Sequence, residues 1–205
     1  MPMKLDFGKT ELKINFSFAV AVTLTLIIDE SGVGATALLC CIIHEMGHII
    51  CLLLLGEKPK RIELSFYGIK LERYPMSAQK TAGEIAVFVS GPSANLIFSS
   101  ILFLMSNIIN SLRDAAIISL CIGAFNLIPC KPLDGGNILY AVLCGNTKQN
   151  VAEKICFFVS AVVLVPLVVS GVYYLRINRN ITLLAVALYV AATCISEYKS
   201  KTALE

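Results

Sequence analysis

The chain has 205 residues, of which 57% are hydrophobic and only 15% charged, with a net charge of +3 and a mean hydropathy of +0.77. A soluble domain carries about 25% charged residues, and the apolar residues here gather in blocks close to the roughly 20 residues that cross a bilayer as a helix. That excludes a soluble globular enzyme, and with no basic run there is no ground for a nucleic-acid partner.

The pattern predicts an all-α polytopic membrane protein, a single domain over residues 1–205 with about six transmembrane helices. The first span covers about 15–28. The mixed-charge stretch before it, MPMKLDFGKTELKIN, lacks a small-residue cleavage site, so this span reads as a retained helix and not a signal peptide. The second covers 35–55, ATALLCCIIHEMGHIICLLLL. Between spans two and three, Arg61 to Arg73 alternates apolar and polar residues on either side of Gly68, which predicts a short membrane-associated β-hairpin. It is either an ordinary surface hairpin or an edge that pairs with an extended substrate. The third span, 84–109, is expected to be interrupted by Gly91-Pro92. The fourth, 115–128, ends at Pro129, and the fifth and sixth cover 155–175 and 181–195. The stretch from Asn137 to Leu143 is apolar but too short to span.

Charge placement orients this layout. Of the 17 lysines and arginines, only Arg113, Arg176 and Arg179 fall on the side opposite the N-terminus. The positive-inside rule then puts both termini in the cytoplasm of a multi-pass cell-membrane protein. Span two runs inward and ends near Gly56. His48 lies about 12 Å before that end at the helical rise, so water must reach it through a polar cleft open to the cytoplasm.

His44 and His48 are the chain's two histidines, four apart, with Glu45 after the first. Residues four apart share one helix face, so both imidazoles can reach one metal while Glu45 acts on a metal-bound water, the zincin arrangement. The alternative is a polar cluster that glues helices together. Strongly polar side chains at mid-bilayer cost about 2.5–3.5 kcal/mol on insertion scales, which usually marks a functional interior. A catalytic zinc takes three protein ligands and keeps a fourth position open, so the third must come from an acid or a cysteine. Most acids sit at predicted membrane surfaces. Asp134 instead lies in Phe125-Asn-Leu-Ile-Pro-Cys-Lys-Pro-Leu-Asp-Gly-Gly136, whose prolines and glycines imply an irregular backbone, tolerated at membrane depth only where it lines protein or a wet cavity. Asp-Gly-Gly also reads as a simple turn, and Cys130 is the other candidate ligand nearby. The remaining cysteines, without C-x-x-C spacing, read as small buried hydrophobes. Asn126 and Asn95 either satisfy backbone groups freed by Pro129 and Pro92 or face the cleft and hold substrate.

HEMGH inside a membrane helix, followed by NLIPCKPLDGG after a later span, closely resembles the site-2 protease family of intramembrane zinc metalloproteases. Gly91-Pro-Ser-Ala-Asn95 is similar to that family's G-P-x-x-N element, and the hairpin around Gly68 to its membrane-reentrant strands. The resemblance implies one zinc ion per chain held by His44, His48 and Asp134, Glu45 as the catalytic base, and Asn126, Asn95 and Gly68 on the substrate side. It implies regulated intramembrane proteolysis of a membrane protein substrate with a transmembrane segment, and a membrane-embedded regulator as a further class of partner. The six-span form without a PDZ or CBS domain resembles the short branch that includes sporulation-type bacterial enzymes, although Asn137 stands where that branch commonly has arginine. Two rivals use the same residues: a zinc transporter or sensor, for which a general base has no purpose, and an inactive relative that masks membrane partners.

Overall fold

The computed structural model describes residues 3–7, 10–57, 59–65, 68–73 and 81–202. Composition predicts one membrane domain; the chain divides by its contacts into two compact units, Met1–Ala124 and Phe125–Glu205.

The first unit begins with a sheet that hydropathy did not indicate. Strands β1 (Met3–Phe7) and β2 (Thr10–Ile14) precede the first helix, and β3 (Pro59–Ser65) and β4 (Gly68–Arg73) follow the second. The sheet order is β1-β2-β3-β4, antiparallel at both ends and parallel at β2–β3. The anticipated hairpin segment thus contributes two strands to a four-stranded sheet, and residues 66–67 between them lie outside the described residues. Charge explains the parallel pairing. Glu11 faces Arg61 and Lys13 faces Glu63 in register, and they meet as ion pairs of 2.7 Å and 2.9 Å. Asn15 Nδ2 donates a further bond to Glu63 at 2.8 Å. Such pairs join residues about 50 positions apart, which no local pattern announces.

Helix α1 (Phe16–Ile28) leads to α2 (Val33–Leu54) through a turn built on Asp29. The Asp29 carboxylate accepts from Gly34 N–H at 2.6 Å and from Ser31 N–H at 3.1 Å, satisfying donors that a helix start leaves free. Gly32 supplies the left-handed backbone, φ 75°, from which α2 departs. After the sheet come α3 (Thr81–Met105) and α4 (Leu112–Asn126), the latter ending two residues into the second unit. The interruption expected at Gly91-Pro92 is absent. Helix α3 is continuous with Pro92 inside it, as membrane helices allow when neighbouring groups compensate the freed carbonyl.

Buried positions on α2 are Cys40, His44, His48 and Leu52, a strict spacing of four that makes one narrow stripe. On α3 they are Val87, Gly91, Pro92, Asn95, Ser99 and Leu102. A methyl group on Gly47 would lie 2.6 Å from Ser90 O and 2.8 Å from Ala94 Cβ, so the α2–α3 approach needs a bare backbone there. Small residues at such crossings are how membrane helices pack without a hydrophobic drive.

The second unit contains α5 (Asp134–Cys144), α6 (Gln149–Asn178) and α7 (Thr182–Thr202). Helices α6 and α7 meet where Gly171 faces the Leu184 backbone, with space for no larger residue. Cys130, Leu164 and Val190 form its apolar centre, packed against Phe125, Ile128, Leu133 and Leu167. A cavity of about 300 Å³ opens along these residues.

Among the described residues, four helices are long and apolar enough to cross a membrane, α2, α3, α6 and residues 182–199 of α7, and the chain is a membrane protein. Helices α1 and α4 reach only 13 and 15 residues, short of the about 17 that spanning needs. By length and composition the structure therefore supports four of the six expected spans.

Candidate metal centre

In the first unit the two histidine rings stand edge to face, centroids 4.8 Å apart, one helical turn from each other on the buried stripe of α2. Each is more than nine-tenths buried. His48 Nδ1 lies 2.6 Å from Val87 O. A carbonyl can only accept, so Nδ1 carries the proton and Nε2 is the unprotonated nitrogen of the neutral ring. His44 Nε2 lies 3.2 Å from His48 Nε2. Tetrahedral zinc with bonds of about 2.0–2.1 Å holds two nitrogens roughly 3.3 Å apart, so this spacing fits two ligands of one ion.

Helix α3 makes room for both rings. A Cβ on Gly91 would collide with His48 Nε2, and would lie 2.5 Å from His48 Cε1 and 2.9 Å from His44 Nε2. The Gly91-Pro92 pair, expected to break a helix, provides the one bare patch against which two imidazole edges can lie. Asn95, one turn further on, is fully buried, with Nδ2 at 3.4 Å from His44 Nδ1. Ser119 on α4 donates to Asn95 O at 3.0 Å. Glu45, next to His44, is half-buried on α2.

In the second unit Asp134 is the first residue of α5 and half-buried. Its carboxylate sits where the helix dipole favours negative charge. The two glycines behind it have separate steric reasons. A Cβ on Gly135 would run into Leu127 O and lie 2.5 Å from Ile128 O, and one on Gly136 would lie 2.5 Å from the Cys130 carbonyl carbon and the Lys131 nitrogen. The start of α5 thus nests against the preceding turn, and Asp-Gly-Gly opens a helix where a simple turn was the competing reading. Ser160 on α6 secures that turn, accepting Lys131 N–H at 3.0 Å while donating to Cys156 O at 2.7 Å. Neither Ser160 nor the Val87 carbonyl carries any signal in the sequence. Asn126 is the half-buried last residue of α4. Gly68 opens β4, paired with Ser65.

His44, His48 and Asp134 could hold a metal ion: one ligand atom from each lies within 4.8 Å of the other two. Cys130 is not in this group. It is buried in the apolar cluster of the second unit, its Sγ near Lys131 O at 3.3 Å. The donor chemistry suits zinc, with two imidazoles and one carboxylate leaving a fourth position for a small ligand.

The family described as Peptidase family M50 matches residues 104–167, a stretch that includes Asp134 but not the histidine helix. A zinc metalloprotease of Methanocaldococcus jannaschii is 27% identical over 194 residues, covering 88% of this chain and 55% of the relative. The Synechocystis sp. protein sll0528 is 31% identical over 118 residues, 53% of this chain and 31% of that one. The chain thus spans about half or less of the length of these curated relatives. The solved site-2 protease from Methanocaldococcus jannaschii superposes with a TM-score of 0.69 over 97% of this chain and 95% of that one, at 23% identity, a likeness of fold. A Peptidase family M50 match over residues 104–167, similarity to curated zinc metalloproteases and the fold of a site-2 protease are thus the likenesses this chain shows.

Proposed function

We propose that the chain is an intramembrane zinc metalloprotease that hydrolyses a peptide bond in or near a transmembrane segment of a membrane protein substrate. The observation that carries this reading is a set of three ligand atoms, two imidazole and one carboxylate, within 4.8 Å of one another, with a glutamate beside the first histidine.

In this reading His44, His48 and Asp134 hold zinc, which when bound lowers the pKa of a water toward about 7 and polarises a carbonyl. Glu45 takes the proton of the attacking water and passes it to the leaving amine, as general base and then general acid. The Val87 carbonyl fixes the His48 tautomer. Low polarity around the rings strengthens every charge interaction at the reacting carbonyl. Asn126 and the β4 edge that starts at Gly68 hold the substrate backbone. An extended segment is needed because a helix shields its own peptide groups. The site opens to the cytoplasm, where both termini lie, and a membrane-embedded regulator would compete for the same access.

The test is cleavage of a transmembrane peptide by the purified protein in proteoliposomes, with zinc counted in the same samples. Wild type should contain about one zinc and cleave. Glu45→Gln should keep the zinc and lose cleavage by at least 100-fold, the lower range for a positioned acid–base. Zinc flux without cleavage would instead support transport.

A further inference from the structure

We infer that Asn95 is a positioning residue for the metal centre, its amide oxygen accepting the Nδ1–H of His44 and so presenting the His44 Nε2 lone pair to zinc. The inference rests on the metal-site reading above and goes beyond it in assigning a residue on a different helix.

Three observations lead there. Asn95 is fully buried, and its Oδ1 is the one buried side-chain oxygen or nitrogen among the described residues with no hydrogen-bond partner. Its Nδ2 stands 3.4 Å from His44 Nδ1, at the outer limit for a bond between these atoms. The companion ring has its Nδ1 held at 2.6 Å by a group that can only accept, the Val87 carbonyl. For both Nε2 atoms to coordinate one ion, both Nδ1 atoms must carry their protons. His44 Nδ1–H then needs an acceptor, and an amide nitrogen is not one. Amide oxygen and nitrogen are nearly isosteric and are assigned by their hydrogen bonds. A half-turn of the Asn95 side-chain amide brings Oδ1 onto Nδ1–H without moving a ring. It also gives Oδ1 a donor and turns the NH2 group toward the space that oxygen had occupied.

The surrounding packing holds Asn95 in place. A Cβ on Gly123 would stand 3.1 Å from both Asn95 Cβ and Pro92 O, so α4 presses its bare backbone against this part of α3. Ser119 ties the Asn95 carbonyl to α4. The metal-ligand helix is thus oriented from α3 at two points, Val87 O for one ring and Asn95 for the other. Outer-sphere acceptors of this kind fix ring orientation, and their loss typically lowers metal affinity 10- to 100-fold.

The experiment measures zinc affinity by chelator competition for wild type, Asn95→Leu and Asn95→Asp in detergent, with helicity and melting temperature recorded beside it. The two substitutions have similar size and opposite hydrogen-bonding ability. Asn95→Leu should bind zinc 10- to 100-fold more weakly, and Asn95→Asp, whose carboxylate can accept Nδ1–H, should stay within a few-fold of wild type. Equal affinity in all three, or equal loss in both variants, would overturn the inference and leave Asn95 a packing residue. Because the chain has two histidines, ¹⁵N-histidine NMR of zinc-loaded wild type reads the same point without any variant. His44 should show Nε2 coordinated and Nδ1 protonated, and coordination through Nδ1 would refute the assignment even if Asn95→Leu failed to fold. A wild type that binds no zinc would instead remove the metal-site reading itself.

Discussion

Gly91→Ala is the sharpest perturbation the metal centre offers, because it adds one methyl group and no polarity. The new Cβ would overlap His48 Nε2, stand 2.5 Å from His48 Cε1 and stand 2.9 Å from His44 Nε2. Ordinary contact begins near 3.4 Å, so the His48 ring must retreat by roughly 0.9 Å, beyond the about 0.2 Å tolerance of a metal–ligand distance. Overpacking of this kind costs about 1–3 kcal/mol. If the strain is relieved by displacing the rings, it appears as zinc affinity, about 5- to 150-fold weaker at 1.4 kcal/mol per tenfold. Chelator competition measures the loss. Gly171→Ala is the control, since its Cβ would meet the Leu184 backbone at 2.8 Å within the other unit. It should lower the melting temperature and leave zinc affinity unchanged. Wild-type zinc affinity in Gly91→Ala would refute the claim that this glycine exists to admit the two rings.

Asp134→Ala should reduce zinc content sharply while the protein keeps its helicity, and an unchanged zinc content by elemental analysis would remove Asp134 from the ligand set. Ser160→Ala removes the hydroxyl that accepts Lys131 N–H and should destabilise the second unit by about 1–3 kcal/mol, read from the midpoint of denaturant unfolding. Glu63 is held below its ordinary 4.5 by its bond to Lys13 first and to Asn15 next. A lowered carboxylate pKa contributes stability that is full above the ordinary value and is lost as pH falls through the folded one. The β2–β3 pairing should therefore hold at neutral pH and loosen below about pH 4.5, seen as faster amide exchange there, and Glu63→Gln should remove that pH dependence.

The candidate metal site of this chain was readable from sequence because it depends on local spacing and on scarcity. Two histidines four apart with a glutamate between them lie on one face of any helix, and an apolar surround makes that helix a membrane one. Asp-Gly-Gly after Pro-Cys-Lys-Pro marked a shaped backbone for the same local reason. What the sequence could not supply was everything set by contact between distant segments. The four-stranded sheet rests on ion pairs between Glu11 and Arg61 and between Lys13 and Glu63, and charged strands of five to seven residues leave no hydropathy signal. Gly91-Pro92 looked like a break, since neither residue favours a helix interior. Only the α2–α3 packing shows a continuous helix that needs glycine there to clear two imidazoles. Val87 contributes a backbone carbonyl, which any residue possesses, and Asn95 is tied to His44 by burial and orientation that exist only once α2, α3 and α4 are assembled. Local periodicity therefore determined which residues are candidates for the chemistry, while close packing between helices decided which atoms hold them in position.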